Sequence, residues 1–217
     1  FEYNDGRKLQ IEFVQEPACP VKISVKSVNL KPEAEAQSIS LELENTSSTP
    51  IRAYTMVSGG NRYPNLHTWA FPAKPFEPGV KLTRNVWPNS QDHYYFFVDY
   101  VLFTDGSVCG LDNYHRSVEI AGYLNGRAGA LTRLRELAAE RTDPDDFINA
   151  VDNAGSGGFM LAEVPGGLYA DTVKQMPGYA YQHVMLALQR MDKRRDEAAD
   201  IAQKLGRGIL VVDAAKP

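Results

Sequence analysis

Only two cysteines, Cys19 and Cys109, occur among the 217 residues. That is too few for a disulfide-built scaffold, and 43% hydrophobic content is enough to bury a core without one. Long apolar runs are missing too. The longest is YYFFVDYVLF, residues 94–103, interrupted by Asp99 and far too short to span a bilayer as a helix. No transmembrane segment is expected, and the chain reads as soluble. Charge of one sign is not in large excess. The net charge of −4 gives no general pull toward nucleic acid or an anionic membrane. No repeat of solenoid period and no low-complexity tract is present.

Catalytic motifs are equally scarce. The four histidines, His67, His93, His115 and His183, form no His-x-His or His-Glu-x-x-His spacing. Zinc needs three or four convergent ligands, so no metal site is expected. GSGG at 155–158 lacks the lysine and hydroxyl residue of a phosphate loop. There is no Gly-x-Ser-x-Gly elbow and no Ser-x-x-Lys. No cofactor is expected. Asn45-Thr46-Ser47 fits the glycosylation triplet, a pattern common by chance.

What is present is patterning. The first half alternates apolar and polar residues with period two. Leu9, Ile11 and Phe13 share a face in KLQIEFV. Cys19, Val21, Ile23 and Val25 share one in the next run. The phase slips near Ser27, as a bulge would cause. Ile39, Leu41 and Leu43 alternate cleanly in SISLELEN. IRAYTMV, VKLTRNV and the 94–104 run follow, with a Gly-, Pro- and aromatic-rich stretch from Ser58 to Gly79 read as a long loop. Asp105-Gly106 then predicts a two-residue hairpin that sets Cys109 opposite Leu102. About seven strands result, in antiparallel sheets.

After His115 the period changes. Ile120, Leu124, Leu131, Leu134 and Ala138 make a helical stripe. Thr142 or Asp143 caps a second helix with Pro144 in its first turn. A short helix is expected before Pro177-Gly178 and the longest one after it, ending at Gly206. GILVVD is a possible last strand. The fold class is therefore α+β: an N-terminal antiparallel β-sandwich, residues 1–114, followed by a packed α-helical segment, residues 115–217.

Cys19 and Cys109 both fall on apolar faces. A bridge would close a loop of about 90 residues, worth roughly 4 to 5 kcal/mol on the chain-entropy model. A disulfide ranks ahead of two buried thiols, and both rank ahead of a catalytic Cys109 with His115 as base. Asp99 in its apolar run is outward-facing, hydrogen-bonded near an edge, or functional. A wet patch or strand end is the simplest account. The aromatics between 63 and 95 are the binding candidates: Tyr63, Trp69, Trp87, Tyr94 and Tyr95 above all, with Phe71 and Phe76 beside them. Packing over an open sheet edge or against the helical half accounts for the same residues and ranks ahead of binding.

ELENTSSTPI and VDYVLFTDGSV give residues 8 to 112 a resemblance to immunoglobulin-like β-sandwich modules of exported bacterial proteins. In those an apolar strand, an N-x-S-type turn and a late F-x-D-G hairpin recur. Ser107 stands where antibody-type domains carry a tyrosine two residues before the second cysteine. The resemblance implies an extracytoplasmic setting, periplasmic or secreted, and no particular activity. The expectation is a non-enzymatic binding protein with a protein or cell-envelope partner. The alternatives are a carbohydrate-binding module using the loop aromatics, and a hydrolase with Asp99, Cys109 and His115 where the halves meet.

Overall fold

The computed structural model describes residues 8–14, 19–29, 38–60, 64–71, 74–87, 93–141, 143–154 and 170–189. The chain is a mixed α+β protein that divides into two compact units, Phe1–Ser117 and Val118–Pro217. Strands fall in the first and helices in the second, apart from the opening turn of the first helix.

Eight strands are described: β1 (Gln10–Phe13), β2 (Val21–Asn29), β3 (Ser38–Asn45), β4 (Ile51–Gly59), β5 (Pro64–Ala70), β6 (Lys81–Val86), β7 (His93–Phe103) and β8 (Val108–Cys109). One sheet runs β2-β3-β6. The other runs β1-β7-β4-β5, with β8 also on β7. The inward rows of both sheets feed one apolar cluster that includes Val21, Ile39, Leu41, Leu43, Tyr54, Met56, Phe96 and Val101. This is the burial that alternation promised for β3, whose odd-numbered residues Ile39, Leu41 and Leu43 have no exposed surface. The slip near Ser27 is a real irregularity, falling between Val25 and Ser27 of the β2–β3 register.

Three expectations need correction. The stretch from Ser58 to Gly79 is not one long loop, because Pro64–Ala70 pairs antiparallel with β4 as strand β5. The sheets are not wholly antiparallel, because β1 runs parallel to β7 from Gln10↔His93 to Phe13↔Phe96. The hairpin after β7 has three turn residues, not two. Phe103 N–H donates to Ser107 O at 2.9 Å, and Gly106 takes φ +88°, the left-handed residue such turns require. The added residue shifts the register by one, so Cys109 pairs with Val101 instead of Leu102.

The second unit holds most of α1 (Arg116–Glu140), with α2 (Pro144–Asp152) and α3 (Ala170–Gln189). Ala130, Leu134, Leu137, Phe147, Ile148, Val151, Tyr181, Val184 and Met185 form its core. Asp143 is the cap of α2. Its carboxylate accepts from Asp145 N–H at 2.9 Å and Asp146 N–H at 3.0 Å. The break expected at Pro177 is absent, since α3 runs through it. Gly126 of α1 explains the packing there: a Cβ at 126 would overlap the Pro177 carbonyl oxygen, so only glycine admits this approach. The helix expected to end at Gly206 extends past the described residues, and GSGG and GILVVD lie outside them. No helix among the described residues is long and apolar enough to cross a membrane.

Candidate functional site

Two places interrupt the apolar rows of the first unit. The first is a polar and aromatic seam where β5, at the edge of one sheet, faces β6, at the edge of the other. Residues opposite one another in an antiparallel pair share a face. Trp69, His67 and Asn65 therefore share the inward face with their partners Tyr54, Met56 and Ser58. On β6 the inward row is Leu82, Arg84 and Val86, with Arg84 opposite the fully buried Leu41. A cation thus stands in a row that otherwise feeds the core.

The Arg84 guanidinium lies over the Trp69 ring, 5.3 Å from its centroid. Tyr54 meets Trp69 with ring centroids 5.0 Å apart, and His67 stacks beside the indole at 5.6 Å and 15°. The Tyr54 phenol is fully buried, and burial raises its pKa to about 12, against a smaller lowering by the nearby Arg84. Neither the Tyr54 hydroxyl nor Arg84 Nε completes a hydrogen bond of ordinary geometry. The Arg84 bond that is made runs from Nη1 to the Thr83 carbonyl, at 3.2 Å. No carboxylate among the described residues pairs with Arg84.

Deeper in the seam the polar groups satisfy one another. Ser58 Oγ lies 2.8 Å from His67 Nε2 and 3.3 Å from the Tyr94 hydroxyl, to which Asn65 Nδ2 donates at 3.3 Å. Burial holds the His67 pKa below its ordinary value, so the ring is neutral near pH 7. A serine and a neutral histidine at this distance have the geometry of a nucleophile and its base. Ser58, however, has no exposed surface, so its hydroxyl closes a buried network.

The aromatics named from sequence separate on this fold. Trp69 belongs to the seam, half-buried on a strand instead of a loop. Tyr94 has no exposed surface, so its ring presents no stacking face and only its hydroxyl joins the network. Tyr95 sits on the opposite face of β7, stacked on Phe97 at 6.2 Å, because adjacent strand residues point opposite ways. Trp87 follows β6 and is 64% exposed. Tyr63 lies outside the described residues. Arg84, His67, Tyr54 and Ser58 were missed. The signal for Arg84 was readable in Leu82-x-Arg84-x-Val86, a cation on an apolar row. His67 and Ser58 required the β4–β5 pairing.

The second interruption is Asp99. It is fully buried, not on a wet patch, and it occupies an irregularity where Thr55 pairs with Tyr100 but Met56 pairs with Val98. The extra residue turns the Asp99 carboxylate onto the segment after β8. Its Oδ1 accepts from Asn113 N–H at 3.0 Å and its Oδ2 from Tyr114 N–H at 3.2 Å. The Asp99 carbonyl accepts from Asp112 N–H at 3.0 Å. Gly110, Asp112 and His115 all take positive φ (102°, 51° and 53°), and a Cβ on Gly110 would strike the Asp99 carbonyl. Asp112 in turn accepts from Ser117 N–H at 3.1 Å and from the Ser117 hydroxyl, capping the first turn of α1. Both Asp99 oxygens thus accept from backbone N–H groups of the segment after β8.

Cys19 and Cys109 are not bridged in this structure, and both are half-buried against the sheet core. Cys19 Sγ lies 3.6 Å from the Val21 carbonyl. Among the remaining histidines, His93 Nε2 lies 3.0 Å from Glu12 Oε2 across the β1–β7 pair, and His115 is exposed. The His183 side chain is outside the described set. No three His, Cys, Asp or Glu residues converge as a metal site among the described residues. Asn45 of the glycosylation triplet is buried, its amide donating to Thr49 and Phe76 carbonyls at 3.0 and 2.8 Å. Comparisons with protein-family models, with curated proteins and with solved structures find no match to this chain.

Proposed function

We propose that the first unit is an immunoglobulin-like sandwich that works as a non-enzymatic binding module in an extracytoplasmic protein. Its partner is a protein or cell-envelope component, engaged through the β5–β6 seam. The strand order supports the fold reading. Counting β2 to β8 as seven strands, the first, second and fifth share one sheet and the third, sixth and seventh share the other. That is the partition of the immunoglobulin-like Greek key, with the fourth strand placed beside the third. The resemblance noted from sequence supports the extracytoplasmic setting.

The observation that carries the binding reading is Arg84. A half-buried cation on an inward row, set over a half-buried tryptophan ring and lacking a counter-charge among the described residues, is costly for a fold alone. A recognition surface explains it. The test immobilises the protein, exposes it to an envelope fraction of the source organism, and repeats this with Trp69→Ala and Arg84→Met. A partner retained by the parent protein and lost by folded seam variants is expected. Equal capture by all three, or none above background, refutes the reading. A glycan partner is the second reading, favoured by the exposed Trp87. Binding on a glycan array that Trp87→Ala abolishes and Arg84→Met spares selects it.

A further inference from the structure

The outer and inner rows of β6 treat charge differently. On the outer row Lys81 pairs with Glu42 at 2.7 Å, and Lys26 Nζ donates to Thr83 Oγ1 at 3.2 Å. Those cations and acids are exposed and mutually compensated. The inner row carries Arg84 alone, with Leu82 and Val86 on either side. Its guanidinium is fixed on one side by the Trp69 ring and acts on the buried Tyr54 hydroxyl at hydrogen-bonding range.

The groups left to be matched in this cluster are donors. Neither Arg84 Nε–H nor the Tyr54 hydroxyl has a partner of ordinary geometry; the Tyr54 oxygen is an acceptor turned toward the Arg84 guanidinium, which leaves the Tyr54 O–H and the other guanidinium N–H groups as the donors still to be matched. A ligand group that completes the seam must therefore be an acceptor. Its charge is set by the neighbours. His67 is held neutral by burial, so the seam supplies one fixed positive charge. A single charge matches a monoanion better than a dianion. The shape is set by the guanidinium itself, whose N–H groups lie in one plane, the arrangement that a planar two-oxygen acceptor fits bidentately, and the Trp69 ring holds it in place from one side.

We propose that the β5–β6 seam binds a carboxylate, held by the Arg84 fork against Trp69. This rests on the seam being the binding surface. It adds the chemical class of the group recognised: an acidic side chain, a chain terminus or an acidic sugar carries it equally. Arg84 is the determinant of specificity. Trp69 positions it, and Tyr54 supplies a further donor at the buried end.

The experiment uses the full chain, nitrogen-15 labelled, at constant ionic strength. Acetate, inorganic phosphate and a neutral methyl glycoside are titrated separately, with chloride as the balancing anion. The Arg84 Nε–H and Trp69 indole N–H resonances are followed. Acetate is expected to move both along a saturating curve. Arg84→Met, which keeps the stem and removes the fork, should weaken acetate roughly tenfold or more, the loss of one charge-assisted hydrogen bond. Arg84→Lys, with charge but no fork, should fall between. If phosphate or the glycoside saturates the two resonances and acetate does not, the carboxylate assignment is overturned while the seam stands as a binding surface. If none of the three moves them, both fall. The parent titration decides these outcomes even if a variant does not fold.

Discussion

Replacing Asp99 by alanine should unfasten the segment that leads out of β8 and loosen the whole first unit. The structure sets the size of the effect. Two backbone N–H groups, those of Asn113 and Tyr114, lose a carboxylate acceptor inside the protein. Hydrogen bonds to a charged group contribute about 1.5 to 3 kcal/mol each, so the gross loss is about 3 to 6 kcal/mol. Alanine also removes the cost of burying a carboxylate, which offsets part of that. A net destabilisation of about 2 to 4 kcal/mol follows. Asp99→Asn keeps one acceptor but aims an NH2 group at one of the two donors. It should therefore recover little. Both tryptophans, Trp69 and Trp87, lie in the first unit, so urea unfolding followed by tryptophan fluorescence reads that unit by itself. Hydrogen exchange adds a local readout. The Asn113 and Tyr114 amides should lose protection before the β3 amides do. A loss under about 1 kcal/mol in Asp99→Ala with those two amides still protected would refute the account, because two charge-assisted bonds from a fully buried carboxylate would then contribute almost nothing.

Three other outcomes are expected. Gly126→Ala should destabilise the helical unit, seen as a lower melting point at 222 nm. The clash with the Pro177 carbonyl, typically 1 to 3 kcal/mol for overpacking, exceeds the roughly 1 kcal/mol that alanine adds to an ordinary helix. Asn45→Ala should cost about 2 to 4 kcal/mol in urea melts, since it removes a buried amide that donates to the Thr49 and Phe76 carbonyls and accepts from Ser47. Tyr54 binds its proton more tightly folded than unfolded. Its contribution to stability is thus full below its unfolded value of 10.0 and is lost as pH rises from there through about 12. Tyr54→Phe should flatten that part of the stability profile, and an unchanged alkaline slope would count against the burial argument.

Several elements were legible in the sequence because a single physical signal specified each. SISLELEN alternates without exception, and it is β3. The phase slip at Ser27 is a bulge. Asp143 before Pro144 is a helix cap. Where two signals conflicted, the local one misled. PNLHTWA lies in a stretch rich in Gly, Pro and aromatics and puts its polar residues Asn65 and His67 on the inward row, so composition read it as loop. Pro177 normally ends a helix, but here α3 continues through it, against a glycine on α1 that leaves room for its carbonyl.

Sequence by itself determined the strands and helices whose signals were unopposed, β3 and α2 among them, and where the chain changes from one kind to the other. Those depend on side-chain period and on cap and turn chemistry, which act within a few residues. Only tertiary structure decided what the polar residues do. Asp99 became a buried fastener because one extra residue in β7 turned its side chain toward a segment some fourteen positions on. Arg84 met Trp69 because the edges of two sheets face each other there. Tyr94 was separated from Tyr95 by the pleat. Burial and partnership are properties of pairs distant in the chain, and no local pattern encodes which pairs will meet.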